Sequence, residues 1–184
     1  MPSYATHVEF TAQFHAISAL HQLFDSLYES STPKTKLLPI IVFMAFSLEA
    51  YINSIGVRHI TDWAEIEKLP WKAKLKILHE HRGVVPAWGS EPLHFINEIF
   101  GIRNKLAHGK SEPVTGPVFS TLQEANDFIF SGNLEPNWFR VIDLAWVKSA
   151  RGRFEKSLEY LALIYGLSPS DYLQESRAVV LSNL

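Results

Sequence analysis

Leu37-Leu38-Pro39-Ile40-Ile41-Val42-Phe43-Met44-Ala45-Phe46-Ser47-Leu48 is the most apolar stretch of this 184-residue chain, and Glu49 follows it at once. A membrane span needs roughly 20 apolar residues. This run is shorter and is interrupted by Pro39 and Ser47, so it reads as a buried helix. The helix is expected from about Lys34 to Ile55, with Pro39 tolerated in the first turns and Gly56 placed to end it. Because it is apolar nearly all round through Phe46, it is expected to be the central helix of a bundle.

Working outward, the other segments are helical too. From about Tyr4 to Glu29, Phe10, Phe14, Ile17, Leu20, Phe24 and Leu27 recur at three and four residues, the helical period, and Ser30-Ser31-Thr32-Pro33 breaks the run. Thr61-Asp62 is expected to cap a short helix holding Trp63, Ile66 and Leu69. Pro70 then opens another, ending near Gly83. Ser90-Glu91-Pro92 combines a cap, an early acid and an early proline, so a helix is expected from there to His108, stopped by Gly109. Thr121-Leu122-Gln123-Glu124 has capping-box form and starts a short helix through about Ile129. The last long helix is expected from about Val141 to Tyr165. Its stripe of Leu144, Val147, Phe154, Leu158, Leu161 and Tyr165 has Arg151 in the one missing position. A short tail helix with Tyr172, Leu173 and Val179 is expected after Pro169. No segment alternates as a strand does, so the fold class is all-α, a helical bundle of four to five main helices plus short accessory ones. At this length one domain, 1–184, is expected, with 111–130 as an inserted loop and short helix.

Composition narrows the function. Apolar residues make up 47% and charged residues 20%, ordinary values for a globular protein. Without a cysteine there is no disulfide, thiolate metal site or cysteine nucleophile. Met1-Pro2-Ser3-Tyr4 has no secretory pattern, and a cytoplasmic protein with no membrane association is expected. The net charge of −2 speaks against coating nucleic acid by bulk attraction, though not against a local patch. Two basic stretches, Lys72, Lys74 and Lys76 and then Lys148, Arg151, Arg153 and Lys156, read as solvated helix faces.

The chemistry concentrates in 90–108. At about 100° per residue, Ile96, Ile99, Phe100, Ile102, Leu106 and Ala107 span one apolar arc, and Arg103 points into its middle. A guanidinium there wants an anionic partner or a ligand. Beside the arc runs a stripe of Asn97, Gly101, Asn104 and His108, in which Asn104 and His108 are surface neighbours. Arg103 and His108 stand about 140° apart and converge only through the long arginine, a frayed helix end or a second copy. A purely structural account is open at this point. Arg103 would pair with Glu49, the charged residue in the middle of the central helix, and His108 would serve its own helix end.

Arg103-Asn104-Lys105-Leu106-Ala107-His108, an arginine and a histidine separated by four residues on a late helix of an all-α bundle, resembles the signature of the HEPN superfamily. The segment Phe46-Ser47-Leu48-Glu49-Ala50-Tyr51-Ile52-Asn53 is similar to that family's preceding core helix, which often carries an acidic or polar residue near the site. With their helices counted whole, these segments cover about a third of the chain. The resemblance implies an endoribonuclease that needs no metal or other cofactor, acting as a homodimer on single-stranded RNA in defence, a toxin system or a stress response. Arg103, Asn104 and His108 would be catalytic, supported by Glu49, Asn97 and Gly101. The family's alternative is a non-catalytic module that binds RNA, a nucleotide or a protein partner. Toxins paired with a nucleotidyltransferase antitoxin usually carry a tyrosine two residues after the histidine. Lys110 stands there, which puts that antitoxin partner in doubt.

Other candidates carry less. His79-Glu80-His81 looks like a ligand cluster, but residues two apart on a helix diverge, so a surface position is expected. His7, His15 and His21 share no face suited to a metal. The five tryptophans are expected to pack rather than to stack bases.

Overall fold

The computed structural model describes residues 3–27, 32–131, 134–175 and 177–183, with the backbone alone for 3–9 and 177–183. Its bundle is all-helical, as expected. In chain order it has a strand β1 (Ser3–Glu9), then α1 (Ala12–Asp25), α2 (Lys34–His59), α3 (Trp63–Ile66) and α4 (Trp71–His81). These are followed by α5 (Leu93–His108), α6 (Leu122–Phe130), α7 (Asn137–Arg140), α8 (Leu144–Ile164), a 3-10 turn (Asp171–Leu173) and a strand β2 (Arg177–Asn183).

Helix α2 is the hub and touches α1, α3, α4, α5 and α8. Ile41, Met44, Ala45, Leu48, Tyr51, Ile52 and Ile55 are all sealed from solvent, whereas Phe46 is half exposed, so the helix keeps one open side. By length and composition α2 passes as a membrane span, yet 56% of that apolar window is buried inside the bundle, as a core helix would be.

Several boundaries differ from the expected ones, each for a physical reason. Helix α2 runs past Gly56 to His59. A Cβ at Gly56 would lie 2.1 Å from the Trp63 ring, so this glycine admits an indole rather than ending a helix. Helix α5 starts at Leu93 with Pro92 at its cap and no side-chain bond from Ser90; the Ser90 carbonyl instead accepts from His94 N–H. Gly109 ends α5 in the left-handed region at φ 53°, as expected. Asp143, unread in the sequence, caps α8 by accepting from Trp146 N–H at 2.7 Å. The Thr121–Glu124 capping box of α6 is complete.

Both chain ends depart from helix. Residues 3–9 form β1 and pair antiparallel with β2, from Ser3 opposite Asn183 to Glu9 opposite Arg177. The helix expected from Tyr4 therefore starts at Ala12, and the tail expected as helix is the 3-10 turn followed by a strand. The pairing joins positions 168–180 residues apart, a non-local contact that helical spacing does not register. The expected helix end at Glu29 and the break at Ser30 and Ser31 lie outside the described residues, as does the side chain of Val179.

Candidate functional site

Helix α5 turns Leu93, Phe95, Ile96, Ile99, Phe100 and Ile102 inward, and the Phe100 ring stacks on Trp71 of α4 with centroids 4.4 Å apart. Phe100 thereby anchors the turn before the motif against α4, while α5 packs along α2 and α8. Ala107 is exposed rather than inward, because the chain is about to leave the core at Gly109. Asn97, Gly101 and His108 form the expected outer stripe and face solvent, with Asn104 half-buried beside them.

Arg103 finds Glu49. Its Nη2 donates to Glu49 Oε2 at 3.1 Å, and its Nη1 donates to the side-chain oxygen of Asn104 at 3.1 Å. The guanidinium also lies 5.5 Å from the Phe100 ring. Its Nε is buried and makes no hydrogen bond among the described residues. Because Asn104 presents its oxygen to Arg103, its NH2 group is turned to the other side of the amide.

Glu49 has a second cation. Lys74 of α4, expected on a solvated face, is 1% exposed and donates from Nζ to Glu49 Oε1 at 2.7 Å. It also donates to Asn53 Oδ1 at 3.2 Å and to the Glu67 carbonyl at 3.4 Å. An ammonium has three donors, and all three are used. One carboxylate thus faces two cations, so the cluster carries one net positive charge. The signal for Lys74 was in the sequence: it sits three residues after Trp71 and four before Leu78, on the apolar face of its helix.

Asn104 and His108 open onto a groove of about 700 Å³, with Gly101 and Lys105 beside them and Pro113 and Trp138 opposite. Glu112 ties the walls together. It accepts from Lys105 Nζ at 2.9 Å and from Trp138 Nε1 at 3.1 Å. Those two bonds, Lys105 first, hold its carboxyl below the usual range. Lys110 also lines the groove, whereas Arg103 and Asn97 do not. The structure thus joins Asn104, His108 and Gly101 on one surface and Arg103 with Glu49 behind it; Asn97 stands apart. Trp138 and Glu112 went unread as site residues, since a short separate helix and a loop share no periodicity with α5.

His79 is fully buried rather than on the surface. Its ring nitrogens meet the Leu75 carbonyl at 2.7 Å and the Tyr160 hydroxyl at 2.9 Å, so it is a satisfied core histidine. In the second basic stretch Arg151 pairs with Asp25 and Glu155, and Arg153 pairs with Glu91 and Glu98, while Lys148 and Lys156 are exposed. Among the described residues no group of three or more histidine and carboxylate side chains is arranged to hold a metal. Compared with family models, with curated proteins and with solved structures, the chain finds no match.

Proposed function

We propose that this chain is a HEPN-type endoribonuclease that cleaves single-stranded RNA without a metal, at a composite site made by two copies. The observation that carries the reading is the arrangement of the motif. His108 and Asn104 face one open groove, and Arg103 lies directly behind, anchored to Asn104 and sharing Glu49 with a buried lysine. In the reaction, the RNA 2′-oxygen attacks the adjacent phosphorus and the P–O5′ bond breaks. The proton of the 2′-hydroxyl goes to a base, and another proton is delivered to the leaving O5′. An imidazole suits both transfers, so one His108 from each copy serves as acceptor and donor. Arg103 stabilises the negative phosphorane, and the Asn104 NH2 group orients a phosphate oxygen. Gly101 supports the reading from another side. It lies inside a helix, where glycine costs about 0.5–1 kcal/mol relative to alanine, and a Cβ there would meet nothing within 4 Å. Nothing among the described residues requires a glycine there, but close approach of an RNA backbone or a second α5 would.

The second reading is a non-catalytic HEPN module that binds RNA, a nucleotide or a protein partner. The direct Arg103–Glu49 contact at 3.1 Å and the absence of Arg103 from the groove lining favour it. On the nuclease reading we place its action in the cytoplasm, in defence, a toxin system or a stress response.

The test is cleavage of labelled single-stranded RNA in EDTA. The wild type is expected to leave 2′,3′-cyclic phosphate ends. His108→Ala is expected to abolish cleavage, and Arg103→Ala to lower it by about 10²-fold, the usual effect of removing one oxyanion donor. Equal cleavage by wild type and His108→Ala removes the catalytic assignment. Specific RNA binding by both, with cleavage by neither, establishes the second reading.

A further inference from the structure

Lys74 raises a question that the motif does not answer. Burying an ammonium is costly even when it is paired, and α4 has exposed positions on either side of it. Lys74 nevertheless directs all three donors inward and takes the Glu49 oxygen that Arg103 does not use. With Lys74 absent, Glu49 and Arg103 would form a one-to-one neutral pair. Both carboxylate oxygens would then be open to the guanidinium fork, whose preferred geometry with a carboxylate is bidentate. That geometry would bring the unpartnered Nε onto the acid beside Nη2 and leave the pair without net charge.

We infer that Lys74 is a positioning residue. By occupying Glu49 Oε1 it confines Arg103 to a single-oxygen contact and leaves one net positive charge behind the groove for a phosphate group. The identity of that phosphate as an RNA diester rests on the ribonuclease reading; the charge sharing itself does not. Lys74 touches no substrate and acts through Glu49 and Arg103. Its Asn53 contact places a second α2 side chain in the same arrangement, one helical turn beyond Glu49.

The probe is inorganic phosphate, titrated into full-length protein and followed by the His108 ring proton signals in NMR, with helix content and melting temperature recorded for every variant. Lys74→Met keeps the hydrocarbon stem and removes the charge; it is expected to weaken phosphate binding about tenfold, the scale of one unit charge at a partly screened distance. Lys74→Met combined with Glu49→Gln removes the competing acid as well and is expected to restore affinity to within about threefold of the wild type, even though it is no more stable. RNA kcat/KM should follow the same order.

A merely structural lysine predicts the opposite: the double variant at least as impaired as the single one, with affinity following melting temperature. That result overturns the inference, as does a Lys74→Met protein with wild-type phosphate affinity, or a wild type that binds no phosphate. Should Lys74→Met not fold, Glu49→Gln alone carries the test. It is expected to tighten phosphate binding severalfold, and unchanged affinity overturns the idea. The two readings separate cleanly. The expected phosphate pattern without RNA cleavage sinks the ribonuclease and keeps the charge sharing. An active enzyme indifferent to Lys74→Met, yet dead as His108→Ala, does the reverse.

Discussion

Two glycines do opposite things on neighbouring helices. At Gly56 a methyl group would stand 2.1 Å from the buried Trp63 ring, so Gly56→Ala forces the indole or the helix to move. Overpacking of this kind costs about 1–3 kcal/mol, and urea unfolding should register it. At Gly101 the same change meets open space and reduces the freedom of the unfolded chain, so Gly101→Ala is expected to stabilise the protein by about 0.5–1 kcal/mol. If the outer stripe of α5 is an approach surface, that more stable variant cleaves RNA less well. Opposite movements of stability and activity at one residue are the signature to look for, and parallel movements would count against the role of Gly101.

At the scale of elements, α5 and the segment after it form a unit with a latch. Gly109 releases the chain from α5, and Glu112 returns to bridge Lys105 and Trp138 across the groove. Because these bonds hold the Glu112 carboxyl below its ordinary value, the latch is fully formed above the unfolded value of about 4.3 and is lost as pH falls through the lower folded value. The Trp138 indole N–H signal in NMR should therefore shift in that acid window, and Glu112→Gln should abolish the transition. A shift centred at or above the ordinary carboxylate value would remove the latch. Beyond it, α6 buries no side chain, and Phe119 meets Phe128 at 5.2 Å.

Across the whole molecule, the far end of the chain is tied to the hub through Asp171. Its carboxylate accepts from the Arg58 guanidinium at 2.7 and 3.0 Å and from the Tyr51 hydroxyl at 3.0 Å. Burial pushes the Asp171 carboxyl up, but the Arg58 bonds, aided by Tyr51, outweigh it and leave the group below its usual value. Burial first, then the Asp171 charge, raises the Tyr51 hydroxyl well above its ordinary range. Asp171→Asn is expected to cost roughly 2–3 kcal/mol in equilibrium unfolding, at the low end for a broken buried pair because Arg58 is one-third exposed. The wild type should lose this contribution as pH falls below about 3.9, through the depressed folded value, and the variant should lack that loss. Parallel pH–stability curves for the two proteins would show that Asp171 is not the link.

Much of this architecture was legible in order of residues alone. The period of the α1, α5 and α8 stripes fixes their buried faces, because amphipathic spacing is a local property that tertiary contacts reinforce. Gly109 and the Thr121–Glu124 box were legible for the same reason: caps act within one turn. The motif could be found, and the Arg103–Glu49 pair was anticipated as one of two outcomes, since a lone guanidinium on an apolar arc requires an anion. Only the tertiary structure decided the rest. It brought Lys74 to Glu49 from a separate helix, set Trp63 against Gly56, paired residues 3–9 with 177–183, and joined Glu112 to Trp138 along the groove that His108 lines. Each of these joins groups from separate elements, where charge and shape complementarity rather than local period determine the contact, and a sequence pattern has no coordinate for that.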